Sequence, residues 1–369
     1  MKLSVFEPAI GEEEIAFVVD ALRRGEISGN FGTYLNRFEE EFAAYCGCKY
    51  GIAVTSGTTA LHLAMAATGI GTGDEVLVSA STNIATALAV IHNHAIPVPV
   101  DSEERTWNLD LHLIEGLITP RTKAIIPVHL FGHPVDMDRL MEIACRHNLV
   151  VIEDCAESHG ATVRGRMTGS FGNMACFSFY ANKIITTGEG GMVTTNDDEL
   201  PGRLRLLRNL GFTKPRFRHE VAGYNFRMAG YQAAMGLAQL QKIEAIIERK
   251  RSVAATYNER LRCVPGLELP VEMNWARNVY WMYGVVVGPE FGVSRDELIE
   301  HLNSAGIETR TFFCPMNQQP VLQRLENFQA APCPVADRLW EQGLYLPSSS
   351  MLTQNAIARV CDTIEAARG

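Results

Sequence analysis

One lysine of the chain is placed where its amine could react with a bound aldehyde. Lys183 ends the run FSFYANK, and the glycine-rich turn Gly188–Met192 begins five residues later. An amine held between a β-rich segment and a glycine turn can form a Schiff base with pyridoxal phosphate. A lysine taken alone is more often a solvated surface charge, so other residues must decide between the two interpretations.

A second segment, Ser56–Thr59, could bind a phosphate group. It ends an apparent strand and opens a predicted helix over Ala60–Ala67. The N–H groups and positive dipole of a helix N-terminus attract anions, Gly57 lets an anion approach the backbone, and Thr58 and Thr59 add hydroxyl donors. Ordinary helix capping explains the same residues and stays the alternative. The segment lacks a GxGxxG or Walker sequence, which argues against a dinucleotide or ATP.

Acidic and polar residues follow two further predicted strands. Asp154 closes the apolar run Leu149–Glu153, where ligands collect on an open parallel sheet. Its carboxylate could pair with a protonated pyridine nitrogen and keep the ring an electron sink, or it could serve only as a turn residue. Glu157 and His159 could reach the ring hydroxyl or the substrate, although a lone histidine also suits a packed or surface position. Ser178 could add its hydroxyl to the phosphate site or serve only its strand.

Alternating strands and helices would have to position these residues. From about residue 50 to residue 195, helical patterns separate short apolar runs at Gly51–Ser56, Glu75–Ala80, Ile96–Asp101, Ala124–Leu130, Leu149–Cys155, Met174–Tyr180 and Gly191–Thr195. This alternation predicts a large α/β domain with a mostly parallel sheet that helices cover on both faces.

The last third of the chain has a different pattern. Apolar residues at helical spacing over 232–261 predict a helix that joins the large domain to a smaller one. A strand at Val279–Val287, a helix at Ser294–Ala305 and a strand at Ile307–Phe313 predict an α+β unit. We therefore expect a large domain over residues 1–240 and a small domain over residues 241–369, which includes the linking helix.

Composition narrows the class of protein. The 369 residues are 47% apolar, carry a net charge of −9 and contain no dense run of lysine and arginine, which argues against a nucleic-acid partner. The start Met1–Pro8 lacks the apolar core of a signal peptide, and no run of about 18 apolar residues occurs. We expect a soluble cytoplasmic protein with a small-molecule substrate and no membrane partner. Nine scattered cysteines predict reduced thiols and no metal site.

A series of motifs resembles one known family. The motifs are SGTTALHLA at 56–64, GDEV at 73–76, TKAIIPVHLFGHPVDMD at 122–138, VIEDCAESHGA at 151–161, FSFYANKIITTGEGGM at 177–192 and GYNFRM at 223–228. In this order they resemble the DegT/DnrJ/EryC1/StrS family of nucleotide-sugar aminotransferases over nearly the whole chain. Within that family, NKIITTGEGGMV, VYWMY and IETRTFF are most similar to the GDP-perosamine synthase subgroup. The resemblance implies the fold type I, aspartate-aminotransferase-like architecture.

The resemblance also implies roles for individual residues. Lys183 would bind pyridoxal phosphate and shuttle protons between cofactor and substrate carbons, Asp154 would bind the pyridine nitrogen, and Glu157 would lie near the ring hydroxyl, where many relatives have glutamine. Gly57, Thr58 and Ser178 would hold the phosphate. Asn225, in GYNFRM, would reach the phosphate of the neighbouring subunit's cofactor, which implies a homodimer with shared active sites.

Two positions depart from the family pattern. Asn83, a predicted cofactor contact, occupies the place where relatives usually put an aromatic ring over the pyridine face. The run Cys314–Asn317 stands where relatives commonly read tyrosine-proline-leucine-histidine. Asn317 can hydrogen-bond a sugar hydroxyl, but it cannot act as a titrating base near neutral pH.

The expected reaction is a ping-pong transamination. L-Glutamate would donate an amino group, which would then pass to C4 of a nucleotide-linked 4-keto-6-deoxy sugar, with GDP-4-keto-6-deoxy-D-mannose and GDP-perosamine as the expected pair. The candidate substrate contacts are His159, Tyr180, Arg310 and Asn317.

Three other functions, two of them catalytic, are alternatives to this transamination. The first is a 4-aminotransferase for a dTDP- or UDP-linked sugar. The second is a pyridoxal-dependent sugar dehydratase, in which histidine replaces the lysine, so Lys183 argues against it. The third is a non-catalytic binding protein, which would be expected to lack Lys183 or Asp154.

Overall fold

A seven-stranded sheet forms the centre of the protein, whose computed structural model describes residues 2–215, 217–328 and 331–368. In chain order, the strands are β1 (Tyr50–Val54), β2 (Glu75–Ser79), β3 (Ile96–Val100), β4 (Thr122–Ile126), β5 (Val150–Asp154), β6 (Thr162–Val163), β7 (Arg166–Met167), β8 (Met174–Ser178), β9 (Gly191–Thr195), β10 (Leu267–Glu268), β11 (Ala276–Arg277), β12 (Tyr283–Val287), β13 (Arg310–Thr311) and β14 (Gly343–Leu346). The central sheet has the order β1-β9-β8-β5-β4-β2-β3. Strands β3, β2, β4, β5 and β8 run parallel, and β9 runs antiparallel to β8 and β1. The predicted α/β fold with a mostly parallel sheet is confirmed.

Helices cover both faces of this sheet. They are α1 (Glu12–Arg23), α2 (Thr33–Tyr45), α3 (Gly57–Thr68), α4 (Ala85–His92), α5 (Ile114–Leu117), α6 (Met137–His147), α7 (Leu200–Arg208), α8 (Gly230–Gln241), α9 (Ile243–Leu261), α10 (Arg295–Ser304), α11 (Pro320–Gln323), α12 (Pro334–Gln342) and α13 (Gln354–Ala366). One apolar core joins α2 and α8 to the sheet, and another joins α3, α4 and α7 to its opposite face. Every residue of β2, β8 and β9 is buried, as expected for strands covered on both sides.

A smaller antiparallel sheet, in the order β10-β12-β14-β13, lies in the C-terminal part of the chain. Helices α9, α10 and α13 pack around it through their own apolar core, which makes this part α+β, as predicted. The N-terminal segment joins it, because Leu3 bridges Ile307 and the Ser348 N–H donates to the Val5 carbonyl at 3.1 Å. The domain division at residue 240 stays a prediction.

Three boundaries differ from those predicted. The single helix predicted over 232–261 is two helices, α8 and α9, because Lys242 leaves the helical conformation with φ −118° and ψ 11°. The strand predicted from Val279 begins only at Tyr283, since Tyr280 takes a positive φ of 47° that a strand does not allow. Only Arg310–Thr311 of the strand predicted at Ile307–Phe313 pairs in the sheet.

Several other expectations can be compared with the described residues. The predicted serine cap is present, because the Glu297 N–H donates to the Ser294 side chain. The nine cysteines are free. Within the described ranges, no helix combines the length and apolar character needed to cross a membrane.

Candidate active site

A cavity of about 290 Å³ opens at the carboxyl ends of β5 and β8, beside the N-terminus of α3. Loops collect at this edge of a parallel sheet, so side chains from distant parts of the chain meet there. Its lining includes Ser56, Gly57, Thr58, Thr82, Asn83, Asp154, Glu157, Ser178, Tyr180, Asn182, Lys183, Trp281, Phe313 and Tyr345. Glu189 lines it as well, so the cavity combines a lysine amine, three carboxyl groups and several aromatic rings.

Lys183 stands in a folded loop between β8 and β9. The Lys183 N–H donates to the Tyr180 carbonyl at 2.9 Å, and the Thr187 N–H returns to the Phe179 carbonyl at 3.0 Å. The amine lies in the cavity, where burial lowers its pKa and the charges of Glu157 and Asp154 oppose that change. A lower pKa increases the fraction of Lys183 that is present as the neutral, nucleophilic amine near neutral pH.

Asp154 ends β5 and is 4% exposed. Its Oδ2 accepts a hydrogen bond from the Thr86 hydroxyl at 2.8 Å, and its Oδ1 accepts one from the Ala156 N–H at 3.1 Å. Burial raises the pKa of Asp154, while these two donors and the charge of Lys183 favour the carboxylate. A buried carboxylate held in this way is suited to pair with a cationic ring nitrogen.

Thr86 is a site residue that sequence reasoning missed. Thr86 belongs to α4 and is fully buried. It lies 68 residues before Asp154 in the chain. The local sequence ATALAV carries no sign of this contact, because an apolar helix with one threonine is ordinary core sequence.

Replacing Thr86 with valine should lower the transamination rate about ten-fold. The change keeps the side-chain shape and removes a hydrogen bond to a charged group, which contributes about 1.5 kcal/mol. Thr86→Ser keeps the hydroxyl and should keep most of the rate. Steady-state kinetics of both variants measure the difference. A rate for Thr86→Val equal to that of the unchanged protein would show that this hydrogen bond does not support Asp154.

Glu157 is held by a strained turn. Its Oε2 accepts the Phe131 N–H at 2.8 Å, and Phe131 adopts a left-handed conformation with φ 53°. Burial raises the pKa of Glu157 to about 7, and the positive charge of Lys183 opposes this rise. A carboxyl group with this pKa can either donate or accept a proton near neutral pH.

The Ser56–Thr59 segment caps α3 and also lines the cavity, while its phosphate-binding role stays a prediction. Ser56 and Thr59 cap α3, since the Thr59 N–H donates to the Ser56 hydroxyl at 3.1 Å and the Ser56 N–H donates to the Thr59 hydroxyl at 3.0 Å. Gly57 and the exposed Thr58 line the cavity at the first helical positions, whose N–H groups have no partner within a helix. A side chain at Gly57 would place its Cβ 2.6 Å from the Ser178 Cβ, so glycine keeps this approach open.

These residues fit pyridoxal phosphate. The α3 N-terminus, the Thr58 hydroxyl and the Ser178 hydroxyl offer donors for a phosphate. Asp154 offers a carboxylate for the ring nitrogen, and Lys183 offers an amine for the aldehyde, all on one cavity. The structure therefore brings together every cofactor contact that was predicted within a single subunit, although the contacts themselves stay predictions.

Asn83 lines the cavity without contributing a ring. Its Oδ1 accepts the Ala85 N–H at 3.0 Å, which turns the amide back toward its own backbone. Tyr180 also lines the cavity and is 48% exposed, a suitable place for a substrate contact. Asn225 is exposed outside the cavity lining and bridges Asn209 through the backbone. Its predicted contact with the neighbouring subunit's cofactor stays a prediction.

The structure argues against a direct substrate contact by His159. The side chain is fully buried and packs against Phe42, Phe177 and Phe179, with ring centroids 5.3–6.2 Å apart. Burial lowers the pKa of His159 to about 3, so the ring is neutral. The lone-histidine alternative, a packed side chain, describes this residue better because three aromatic rings separate it from solvent.

Arg310 and Asn317 are also engaged outside the cavity lining. Arg310 forms an ion pair with Glu308 and lies opposite Tyr345 in the small sheet, one strand from the cavity wall. The Asn317 amide donates to the Asp337 carboxylate at 3.1 Å. Neither residue belongs to the cavity lining, and each already has a charged partner.

Three aromatic residues of the C-terminal part complete the cavity: Trp281, Phe313 and Tyr345. None of them was predicted as a site residue, although VYWMY and IETRTFF were noticed as motifs. The high aromatic content of these two motifs was the sequence signal that could have indicated an aromatic cavity wall. The contact of Trp281 with Lys183, across the fold, was not visible in the sequence.

A buried polar network stands behind Asp154. The Glu153 carboxylate accepts N–H groups from Gly169, Phe171 and Gly172, each at 2.8 Å, and contacts His129 Nε2 at 3.3 Å. Together with Cys155, these side chains lie close enough to bind a metal ion, but the acceptor positions of Glu153 are already used by the backbone. The network therefore fixes the loop after β5 and with it the position of Asp154.

Comparisons with known proteins identify the family of the chain. The model of the DegT/DnrJ/EryC1/StrS aminotransferase family matches residues 8–365. A protein of Caulobacter vibrioides named GDP-perosamine synthase is 44% identical over 366 residues, which cover 99% of this chain and 98% of that protein.

Solved structures agree as well. DesV of S. venezuelae is 40% identical with a TM-score of 0.89, over 96% of this chain and 94% of its own. The GDP-4-keto-6-deoxymannose-3-dehydratase ColD, solved as a histidine-to-asparagine mutant with bound GDP-perosamine, is 26% identical with a TM-score of 0.92, over 98% of this chain and all of its own. The chain therefore belongs to the DegT/DnrJ/EryC1/StrS aminotransferase family and is a pyridoxal-phosphate-dependent enzyme.

Proposed function

We propose that the protein transfers the amino group of L-glutamate to C4 of GDP-4-keto-6-deoxy-D-mannose and so forms GDP-perosamine. The observation that carries this proposal is Lys183, whose amine lies in the cavity between two carboxyl groups and the aromatic wall. The 44% identity to a protein named GDP-perosamine synthase, over the whole chain, supports the choice of substrate.

Each residue of the cavity has a part in this reaction. Bound pyridoxal phosphate supplies an aldehyde for amines and a ring that accepts an electron pair. The α3 N-terminus, with Gly57 and Thr58, anchors the phosphate, and Asp154 keeps the ring nitrogen protonated. Lys183 takes a proton from the amino-donor carbon and returns one to the sugar carbon. Glu157, with its pKa raised to about 7, can hold a proton beside that amine.

A dehydratase is the less favoured candidate. In the pyridoxal-dependent sugar dehydratases a histidine takes the place of the lysine, and the similar ColD structure was solved as a histidine-to-asparagine mutant. This chain has Lys183 at the centre of the cavity, and the lysine amine suits reversible transfer of an amino group.

The active unit is proposed to be a homodimer with shared sites. Ile15, Leu22, Ile27, Phe31 and Tyr231 are large apolar side chains between 42% and 60% exposed. They lie on α1, α8 and the segment between α1 and α2, and α1 packs on α8. An exposed apolar surface of this kind is typical of a subunit interface. Asn225 precedes α8 and is exposed, as a contact to a second subunit requires.

The predicted cytoplasmic location stays a prediction.

A substrate screen should give an amino sugar from the GDP-linked 4-keto-6-deoxy sugar. The cofactor-loaded protein would be incubated with GDP-, dTDP- and UDP-linked 4-keto-6-deoxy sugars and with L-glutamate, L-aspartate or L-alanine. Mass spectrometry would detect the exchange of the keto oxygen for an amino group, and the 2-oxoglutarate released would report the donor.

Each result of the screen has one meaning. Product from the GDP-sugar with L-glutamate supports the proposal. Product only from dTDP- or UDP-sugars would reject the substrate and leave the aminotransferase family intact. Loss of water without a gain of nitrogen would identify a dehydratase.

A further inference from the structure

Trp281 reaches the cavity from the C-terminal part of the chain and meets Lys183. The Lys183 Nζ lies 3.8 Å from the centroid of the Trp281 ring, and both residues line the same cavity. A cation within about 6 Å of the face of an indole is attracted by the negative charge density of the ring, and tryptophan is the best of the aromatic side chains for this contact.

The indole is held in place from two directions. Its Nε1–H donates to the Asn182 carbonyl at 2.7 Å, which ties it to the residue before Lys183. Its plane lies 23° from that of Phe131, with centroids 6.4 Å apart, and the whole residue is 3% exposed. The ring is therefore fixed relative to the lysine instead of merely filling space near it.

One turn positions both neighbours of the amine. The Val279 N–H donates to the Gly132 carbonyl at 3.2 Å. Gly132 has φ 101°, and a Cβ on it would lie 2.8 Å from the backbone nitrogen of Trp281. The preceding residue, Phe131, donates its N–H to Glu157. The same short segment thus places the indole on one side of Lys183 and supports a carboxyl group near it.

The other groups around the amine act differently from the indole. Asp154 and Glu157 favour the charged amine when they are ionised, while buried His159 opposes it only when protonated, and Tyr345 contributes an aromatic wall. An indole face favours a cation without forming an ion pair, so it leaves the amine free to turn toward a bound group. Asn83 provides no ring on its side of the cavity.

We propose that Trp281 is a positioning residue for Lys183, whose indole face holds the amine in the cavity and favours its protonated form when Lys183 carries a proton. This inference rests on the proposed role of Lys183 as the reactive amine. It concerns the orientation and protonation of that amine, and it assigns no direct contact between Trp281 and the sugar.

The test compares variants that keep or remove the ring in the cofactor-loaded protein. The visible absorbance that depends on Lys183 would be titrated with pH. Trp281→Leu should lower the midpoint by about one unit and lower kcat about 3- to 30-fold, because the favourable cation contact is lost. The KM for L-glutamate should change by less than about two-fold, since binding of the donor does not use the indole. Trp281→Phe keeps an aromatic face and should titrate close to the unchanged protein.

Controls separate this inference from the proposed function. Trp340→Leu, which removes an indole outside the cavity lining, should leave the titration unchanged. If Trp281→Leu does not fold, Trp281→Met serves as the ring-free variant. A midpoint for the ring-free variant equal to that of the unchanged protein would overturn the role of Trp281 alone. A visible absorbance that persists unchanged in Lys183→Ala would instead overturn the proposed function.

Discussion

Replacing Lys183 with alanine should lower transamination by at least about 10²- to 10⁴-fold, the usual contribution of a positioned proton-transfer group. The expected loss is complete within measurement, because the same amine also forms the covalent link that the reaction requires. Single-turnover experiments with L-glutamate and the keto sugar would measure it by mass spectrometry. The cavity has no second amine among its described lining residues that could replace Lys183.

The matched control is Lys123→Ala. Lys123 is an exposed lysine whose amine donates to the Pro120 carbonyl, so its removal should leave the rate unchanged. Lys183→Arg keeps a positive charge but cannot form the covalent link, and it should be as inactive as Lys183→Ala. Normal turnover by Lys183→Ala would show that the reactive amine has been assigned to the wrong residue.

Replacing Asp154 with asparagine should lower transamination about 10²- to 10³-fold while leaving the fold intact. The amide cannot carry the negative charge that keeps the ring nitrogen protonated, and loss of a buried charge partner costs about 3–5 kcal/mol. The amide oxygen can accept from only one of the two present donors, the Thr86 hydroxyl or the Ala156 N–H, so the change removes the charge and one hydrogen bond. Steady-state kinetics and the visible spectrum of the loaded protein measure the effect.

The stability of Asp154→Asn distinguishes loss of function from unfolding. Burial raises the pKa of Asp154 in the folded protein, so its ionised form costs stability at neutral pH, and this cost disappears as the pH falls below the unfolded pKa. Asparagine removes the buried charge and one of its hydrogen bonds, and these two changes act on stability in opposite directions, so the temperature of thermal unfolding near neutral pH should change little. Asp198→Asn, an exposed aspartate paired with Lys49, is the control for activity. A large loss of stability in Asp154→Asn would mean that the carboxylate supports the fold and not the cofactor.

Local sequence was enough to predict residues that meet in one cavity, and their roles in the chemistry stay predictions. A glycine at a helix N-terminus, an acid at the end of an apolar strand and a lysine before a glycine turn are features of neighbouring residues, and chain order in a parallel sheet brings them to one edge. Asp154, Gly57 and Lys183 accordingly line one cavity. The helix predicted over 232–261 was less accurate, since apolar spacing continues across Lys242 while the backbone breaks there.

Contacts between distant segments could not be predicted in the same way. His159 looked like a candidate ligand because its polarity is a local property, while the phenylalanines that enclose it come from α2 and from the end of β8, far from each other in the chain. Local sequence could not assign a role to Thr86 or Trp281, because each role depends on a partner distant in the chain: Asp154, 68 residues from Thr86, and Asn182, 99 residues from Trp281.

The sequence by itself determined the α/β fold, because apolar periodicity acts over short distances, and its series of motifs indicated the family and the candidate lysine. Only the tertiary structure decided what surrounds that amine. Packing closed Trp281 over Lys183, set the Thr86 hydroxyl on Asp154 and removed His159 from the cavity. Side-chain contacts between segments far apart in the chain depend on how whole elements pack, and that packing is a property of the complete fold.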